Sequence, residues 1–424
     1  GGLQTALGPA RRAEPPMEVR RSMTDVEGTD SAPPIEPIDF DSTTGRRLPV
    51  QPRTIVFLVM LSMLAIAGGY EFLFIPHLIP PWGFDTTILG YLFYASLLVL
   101  VFFVAVPLAR RPALVRRYLY RLRSRPFALL SIGYLAVFAF VGTLGPWAVD
   151  RFAIGSTDSP YGPPMAQPPI GEKIWFNQGY GSLPNVCLGP VRGEYCYGSW
   201  HFPLGTTVWG SDVIDLIVQG FQVALQISLV TAMIIVPIAT VVGTVAAYYG
   251  GWADELLMRY VDLQLVVPAV FLIVVIQVVF GRELLHIVLV FGLLNWGGTA
   301  RVVRAEALQR VEEGYVQAAE SAGASSLWVL YRHVVPNVSN TLLTAITLQM
   351  PTLIIAEATI SFLGYGSPTE QSWGLTINSG LARFPTTWWT AIFPAVFLFL
   401  TAVSFHLLGD ALREIVDPQT EGRR

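Results

Sequence analysis

Two groups of side chains in this 424-residue sequence have types and spacings that could do chemistry. Cys187 and Cys196 are the only cysteines and stand nine residues apart in a stretch rich in Pro, Gly and aromatic residues. Outside a reducing compartment that pattern reads as a disulfide, with two free thiols as the alternative. Glu357, with Ser361 four residues on, lies inside an apolar run, where an ionisable group costs several kcal/mol unless it is paired or wetted. Together they read as a pathway or gate pair; equally, Glu357 reads as a structural carboxylate bonded to a neighbouring helix. Asp262, three residues from Arg259 and close to Pro268, reads as structural. Missing chemistry is as informative. Lys173 is the only lysine and no Gly-Lys-Ser/Thr occurs, so a phosphate-cradling P-loop is excluded. No Cys/His cluster has metal-ligand spacing and no Gly-x-Ser-x-Gly elbow is present. The sequence reads as a non-enzyme that binds no metal or cofactor of its own.

The elements that must position these groups follow from composition. The chain is 53% hydrophobic and 13% charged, far below the roughly 25% charged residues of a soluble domain. Its apolar residues gather in runs of about 20, enough to cross a hydrocarbon core of about 30 Å as helices, and the alternation of a membrane barrel is absent. Eight spans are expected, near residues 54–75, 87–108, 127–149, 218–248, 258–280, 284–303, 338–363 and 388–408. Seven arginines crowd residues 110–125, and by the positive-inside rule that linker faces the cytoplasm. Arg46, Arg47 and Arg53 before it and Arg413, Arg423 and Arg424 at the end place both termini there too. The expected organisation is a disordered tail 1–52, two helices in 53–109, the Arg-rich linker 110–125, a helix at 126–149, an outside loop 150–212, a helical region 213–415 and a tail 416–424. No signal peptide precedes the first span, and Met17 or Met23 lies nearer a natural start. Pro237, Pro268 and Pro351 fall within spans as hinges or, in the favoured reading, fixed kinks. Trp296 and Trp373 read as interfacial anchors.

Between the sixth and seventh spans lies a polar segment, 306–336, flanked by Arg301, Arg304, Arg310 and Arg332 and therefore cytoplasmic. Tyr315, Ala318, Ala319 and Ala322 recur at helical spacing as a face of small residues with one aromatic, and Gly323 permits a sharp turn between helices. A helix lying on lipid would carry Lys or Arg on its polar face; Glu312, Glu313 and Glu320 would instead be repelled by anionic headgroups. Docking to a protein is the favoured reading.

Gln317-Ala318-Ala319, then Gly323 after three residues, then a Val335-Pro336 end, resembles the coupling signature of ABC-importer permeases, with Gln317 in place of its glutamate and Val335 in place of its leucine. Pro203 to Thr206, Gly250 to Glu255, Met258 to Asp262, Ala300 to Arg304, Phe362 to Gly364, Ser372 to Gly374 and Leu408 to Asp410 resemble the peptide-importer branch, and within it the second transmembrane subunit. The resemblance covers about residues 115–418. It implies a type I ABC-importer transmembrane domain of six helices, all-α and polytopic, preceded here by two accessory transmembrane helices. It implies that Glu313, Gly314, Tyr315, Gln317, Ala318, Ala319, Gly323 and Ala324 couple to an ATPase, with ATP and Mg bound only by two partner ATPase subunits. The other implied partners are a homologous second permease subunit, an extracytoplasmic substrate-binding protein and the lipid of the inner membrane, with no nucleic acid. The implied activity is alternating-access import of di- or oligopeptides. Nickel, opines, glutathione or sugars are alternative solutes, and an ion-gradient-driven secondary transporter is a contrasting class, although its internal repeats and acid relays are not found. Residues 150–212 are read as a docking surface for the binding protein or as a cap on the outer mouth.

Overall fold

An apolar run in a bilayer can satisfy its backbone only by closing its own hydrogen bonds, and the computed structural model of this chain does so with helices. It describes residues 52–74, 87–123, 125–152, 164–176 and 184–416. The expected tails, apart from Pro52 and Val416, lie outside these residues, as do Arg46, Arg47, Arg423, Arg424, Met17, Met23 and the turn at 76–83.

The two accessory helices are α1 (Pro52–Phe74) and α2 (Ile88–Ala109). A short helix α3 (Pro112–Leu122) leads to α4 (Pro126–Phe152). After three small strands come α5 (Val213–Tyr249), α6 (Gly251–Val266), α7 (Ala269–Phe280) and α8 (Leu284–Val311), which is interrupted at Asn295. Then follow the eight-residue α9 (Gly314–Ser321), α10 (Ser326–Phe362), α11 (Trp373–Leu381), α12 (Phe384–Thr387) and α13 (Trp389–Val416).

Seven of these helices are long and apolar enough to span a membrane. The expected fifth span differs: α6 and α7 meet at a bend of 64°. Pro268 supplies no N–H and forces the residue before it out of the helical region, and Val267 is accordingly extended, with φ −70° and ψ 120°. Pro237 and Pro351 sit inside unbroken helices. Two π-helical turns interrupt otherwise regular spans, Val101–Ala105 in α2 and Leu330–Val334 in α10. Each ends two residues before a proline, Pro107 and Pro336. The ring would clash with the carbonyl four residues back, and the widened turn absorbs that conflict.

The helix α5 is the hub, packed against α2, α4, α8 and α10. Its start is fixed by Asp212, whose Oδ1 accepts from the Ile214 N–H at 2.9 Å, the N-cap bond that satisfies an orphan donor. In its third turn Phe221 meets Trp373, Phe397 and Phe138 edge-on, with ring centroids 5.0, 5.5 and 5.8 Å apart. Trp373 is therefore buried and not an interfacial anchor: its Nε1 donates to the Ile217 carbonyl at 3.2 Å, in the notch left by Gly220, where a Cβ would lie 2.1 Å from the ring. Trp296 is buried as well, its Nε1 donating to the Leu293 carbonyl at 2.9 Å.

The accessory pair is layered onto this core. Leu89 and Phe93 of α2 are buried in the main hydrophobic cluster, whereas in α1 Phe57 alone among the described side chains is buried. The two helices are joined by a hydrogen bond from the Tyr91 hydroxyl to Glu71, an acid within the first span that sequence reasoning passed over.

The described part of residues 150–212 includes a three-stranded antiparallel sheet, β1 (Lys173–Trp175), β2 (Val191–Arg192) and β3 (Tyr195–Tyr197), with β3 in the middle. Cys187 and Cys196 are disulfide-bonded. Gln167 ties the loop together, accepting from the Leu188 N–H at 3.0 Å and donating its own N–H to Thr206 Oγ1 at 2.8 Å. Trp389 of α13 donates to the Thr206 carbonyl at 3.0 Å, which seats the loop on the helical core.

Candidate functional site

The segment 306–336 is not a free-standing helical pair. Its first part completes α8, its last part opens α10, and only α9 stands between them. Eight residues are too few to hold a helix in water on local propensity alone, so tertiary contacts must fix α9. Val316 is fully buried beneath it. At its far end the Tyr248 hydroxyl, from the last turn of α5, donates to Glu320 at 2.7 Å. At its start the Tyr315 hydroxyl accepts from Asn337 Nδ2 at 3.1 Å, and the Tyr315 ring lies 5.7 Å from that of His333. The helix is thus clamped between the ends of α5 and α10.

Both ends follow local rules. Glu313 is extended at the N-cap, where the macrodipole favours an anion, and it lies 3.9 Å from Arg310. Gly314 opens the helix. At the other end the Ala324 N–H bonds to the Ala319 carbonyl at 3.1 Å and the Gly323 N–H to the Glu320 carbonyl at 2.9 Å, the two bonds of a Schellman cap. Gly323 occupies its left-handed position with φ +85°. Gln317 donates to the Glu312 carbonyl at 3.3 Å. With Val316 inward, Tyr315, Gln317, Ala318 and Ala322 face outward and Ala319 is half-buried. Leu327 and Tyr331, at the start of α10, are 75% and 73% exposed and extend this surface with apolar area.

A polar lattice fixes the neighbouring helices. Arg304 of α8 holds Asp254 of α6 through two hydrogen bonds, and Arg301 holds Asp262. Arg259, on the same helix as Asp262, turns instead to Glu255. These arginines were visible as topology markers; their partners, 50 and 39 residues away, were not.

Glu357 and Ser361 are brought together at the opposite end of α10, roughly 40 Å from Tyr331 at about 1.5 Å per residue. Glu357 is only 3% exposed. The Ser361 hydroxyl donates to its Oε1 at 2.6 Å, and the Ser372 hydroxyl is a second partner. Ser372 in turn caps α11, accepting from the Leu375 N–H at 3.3 Å. Gly374 follows because a Cβ there would lie 2.0 Å from the Ala358 carbonyl oxygen. The carboxylate therefore locks α11 onto α10 inside the chain, and Ser372, quoted only as part of a motif, is the partner that sequence reasoning did not supply. The coupling candidates and the Glu357 pair are thus joined by one 37-residue helix.

Residues 239–422 match the family described as binding-protein-dependent transport system inner membrane component. The oligopeptide transport system permease protein OppC of Haemophilus influenzae is 33% identical over 221 residues, covering 52% of this chain and 71% of that protein. The protein of the same name from Bacillus subtilis is 32% identical over 216 residues, covering 51% and 71%. That from Mycobacterium tuberculosis is 35% identical over 230 residues, covering 54% and 79%. The chain belongs to the family of inner membrane components of binding-protein-dependent transport systems.

Proposed function

We propose that this chain is the transmembrane subunit of an ATP-driven importer of peptides, and that α9 is the surface on which a partner ATPase docks. The observation that carries the proposal is the clamped, outward-facing α9, whose small residues admit the close approach of another backbone while its base is bonded to two membrane helices. Exposed Leu327 and Tyr331 beside it supply the apolar and aromatic area that protein interfaces favour. Force applied to α9 would pass into α5 through Tyr248 and into α10 directly, so the spans would swing as rigid rods between inward- and outward-open states. The chain would line the path together with a homologous second permease subunit, while ATP and Mg act on two partner ATPase subunits. Both termini would face the cytoplasm. A binding protein would dock on the loop that carries the sheet, where Trp175, Trp200 and Trp209 are exposed. Peptide as solute is supported by the names of the relatives.

The test is reconstitution in liposomes with the co-expressed second permease, ATPase and binding-protein subunits. ATP-dependent accumulation of a labelled oligopeptide, lost when residues 314–321 are replaced by a Gly-Ser linker, is the expected result. Accumulation driven by an ion gradient without ATP would overturn it.

A further inference from the structure

A cavity of about 730 Å³ lies between accessory helix α2, α4, the first turns of α5 and the loop before α11, at the end of the bundle that carries the sheet. Its size is that of a small-molecule site. One wall is a row of carboxamides on α5, Gln219, Gln222 and Gln226. Gln226 is 2% exposed and its Oε1 is a buried acceptor with no hydrogen-bond donor, a state that costs free energy until a donor arrives. Glu370 adds a carboxylate from the loop, while Trp147 and Tyr94 add aromatic faces from α4 and α2. No Lys or Arg is among the described residues that line the cavity.

We infer that this cavity binds a polyhydroxylated group, a sugar ring or short polyol. A site without cations is poorly suited to phosphate or carboxylate, whose recognition rests on charge-assisted donors. Gln219 Nε2 already donates to Asp215 Oδ1 at 2.9 Å; an ammonium group only donates, and would use the acceptors but leave the N–H₂ groups of Gln222 and Gln226 idle. A hydroxyl both donates and accepts, as a row of carboxamides requires, and the apolar face of a sugar ring fits against an indole. Because α2 supplies one wall, the site exists only with the accessory helix in place. This gives residues 88–109 a role that does not depend on which solute the chain imports. The sugar could arrive as a glycolipid headgroup or free in solution, and the two are separable.

The test uses the full chain purified in a sugar-free detergent and placed in nanodiscs of phosphatidylglycerol and phosphatidylethanolamine, with or without diglucosyldiacylglycerol. Native mass spectrometry reads retained glycolipid, and equilibrium dialysis of labelled maltose reads the free sugar. Selective retention of either probe is expected, with glycolipid alone assigning the lipid source and maltose the soluble one. Gln226→Leu and, in case that variant misfolds, the surface change Trp147→Ala should each lower retention about tenfold. No retention above the unglycosylated lipids, retention unchanged in both variants, or selective retention of phosphatidylethanolamine would each overturn the inference.

Discussion

The Tyr248 hydroxyl reaches Glu320 across 72 residues of sequence, at 2.7 Å, so the last turn of a membrane span and the end of α9 are one mechanical unit. The bond matters because α9 is short and has one fully buried side chain, Val316, with Asn337 and His333 holding Tyr315 at its start.

Tyr248→Phe removes this bond and leaves the ring. The expected loss is about 1 kcal/mol, confined to α9, so amide exchange across 314–321 should speed several-fold while global melting is unchanged. Exchange as slow as in the parent chain would show that the clamp lies elsewhere.

Gly323→Val puts a β-branched residue at φ +85°, a region that costs an L-residue about 1–2 kcal/mol. ATP-driven uptake should fall by at least about tenfold. Gly323→Asn should retain most of it, because asparagine tolerates that conformation. Both are read in the reconstituted transporter, with ATPase association measured in parallel.

Glu357→Gln preserves an acceptor for Ser361 and Ser372, and its melting temperature should stay near that of the parent. Glu357→Leu strands two buried hydroxyls and should cost about 2–3 kcal/mol. A Gln variant of normal stability that fails to transport would instead assign the charge to the pathway.

Asp212 gives a pH signature. Burial pushes its carboxyl up from 3.8 to about 6, against the lowering effect of the Ile214 N–H and with a further rise from nearby Asp215; its Oδ2 is buried without a donor. The folded chain therefore holds this proton after the unfolded chain has released it. The contribution of Asp212 to stability falls as pH rises from about 4 to about 6, and is constant above that. Asp212→Asn keeps the Oδ1 acceptor for the cap and removes the titration. Its stability relative to the parent should climb across that window and then level off; a pH-independent difference in thermal melting would reject the assignment.

Much of this was legible because it obeys local rules. Runs of about 20 apolar residues had to be helices, Gly323 had to mark a turn, and two cysteines nine apart could close one small loop. What escaped was the pairing of distant residues. Arg301 and Arg304 declared themselves as topology markers, yet their partners Asp262 and Asp254 depend on how α6 lies across α8. Trp373 looked like an anchor because its flanks are polar; only the notch at Gly220 shows that it is swallowed by the core. The bend at Val267 was signalled by Pro268, but Pro237 and Pro351 send the same signal from within unbroken helices. Proline alone does not decide between a kink and a break; the packing around it does. For Glu357, sequence could state that an acid needs a partner, while Ser372 became one only when α11 folded back.

The π-turn at Leu330–Val334 has a consequence for phase. Such a turn acts as a one-residue insertion, and each residue advances an α-helix by about 100°. The faces of α10 before and after the turn are therefore out of register by nearly a third of a revolution. Deleting a single residue there would turn Leu327 and Trp328 by about 100° relative to the rest of α10.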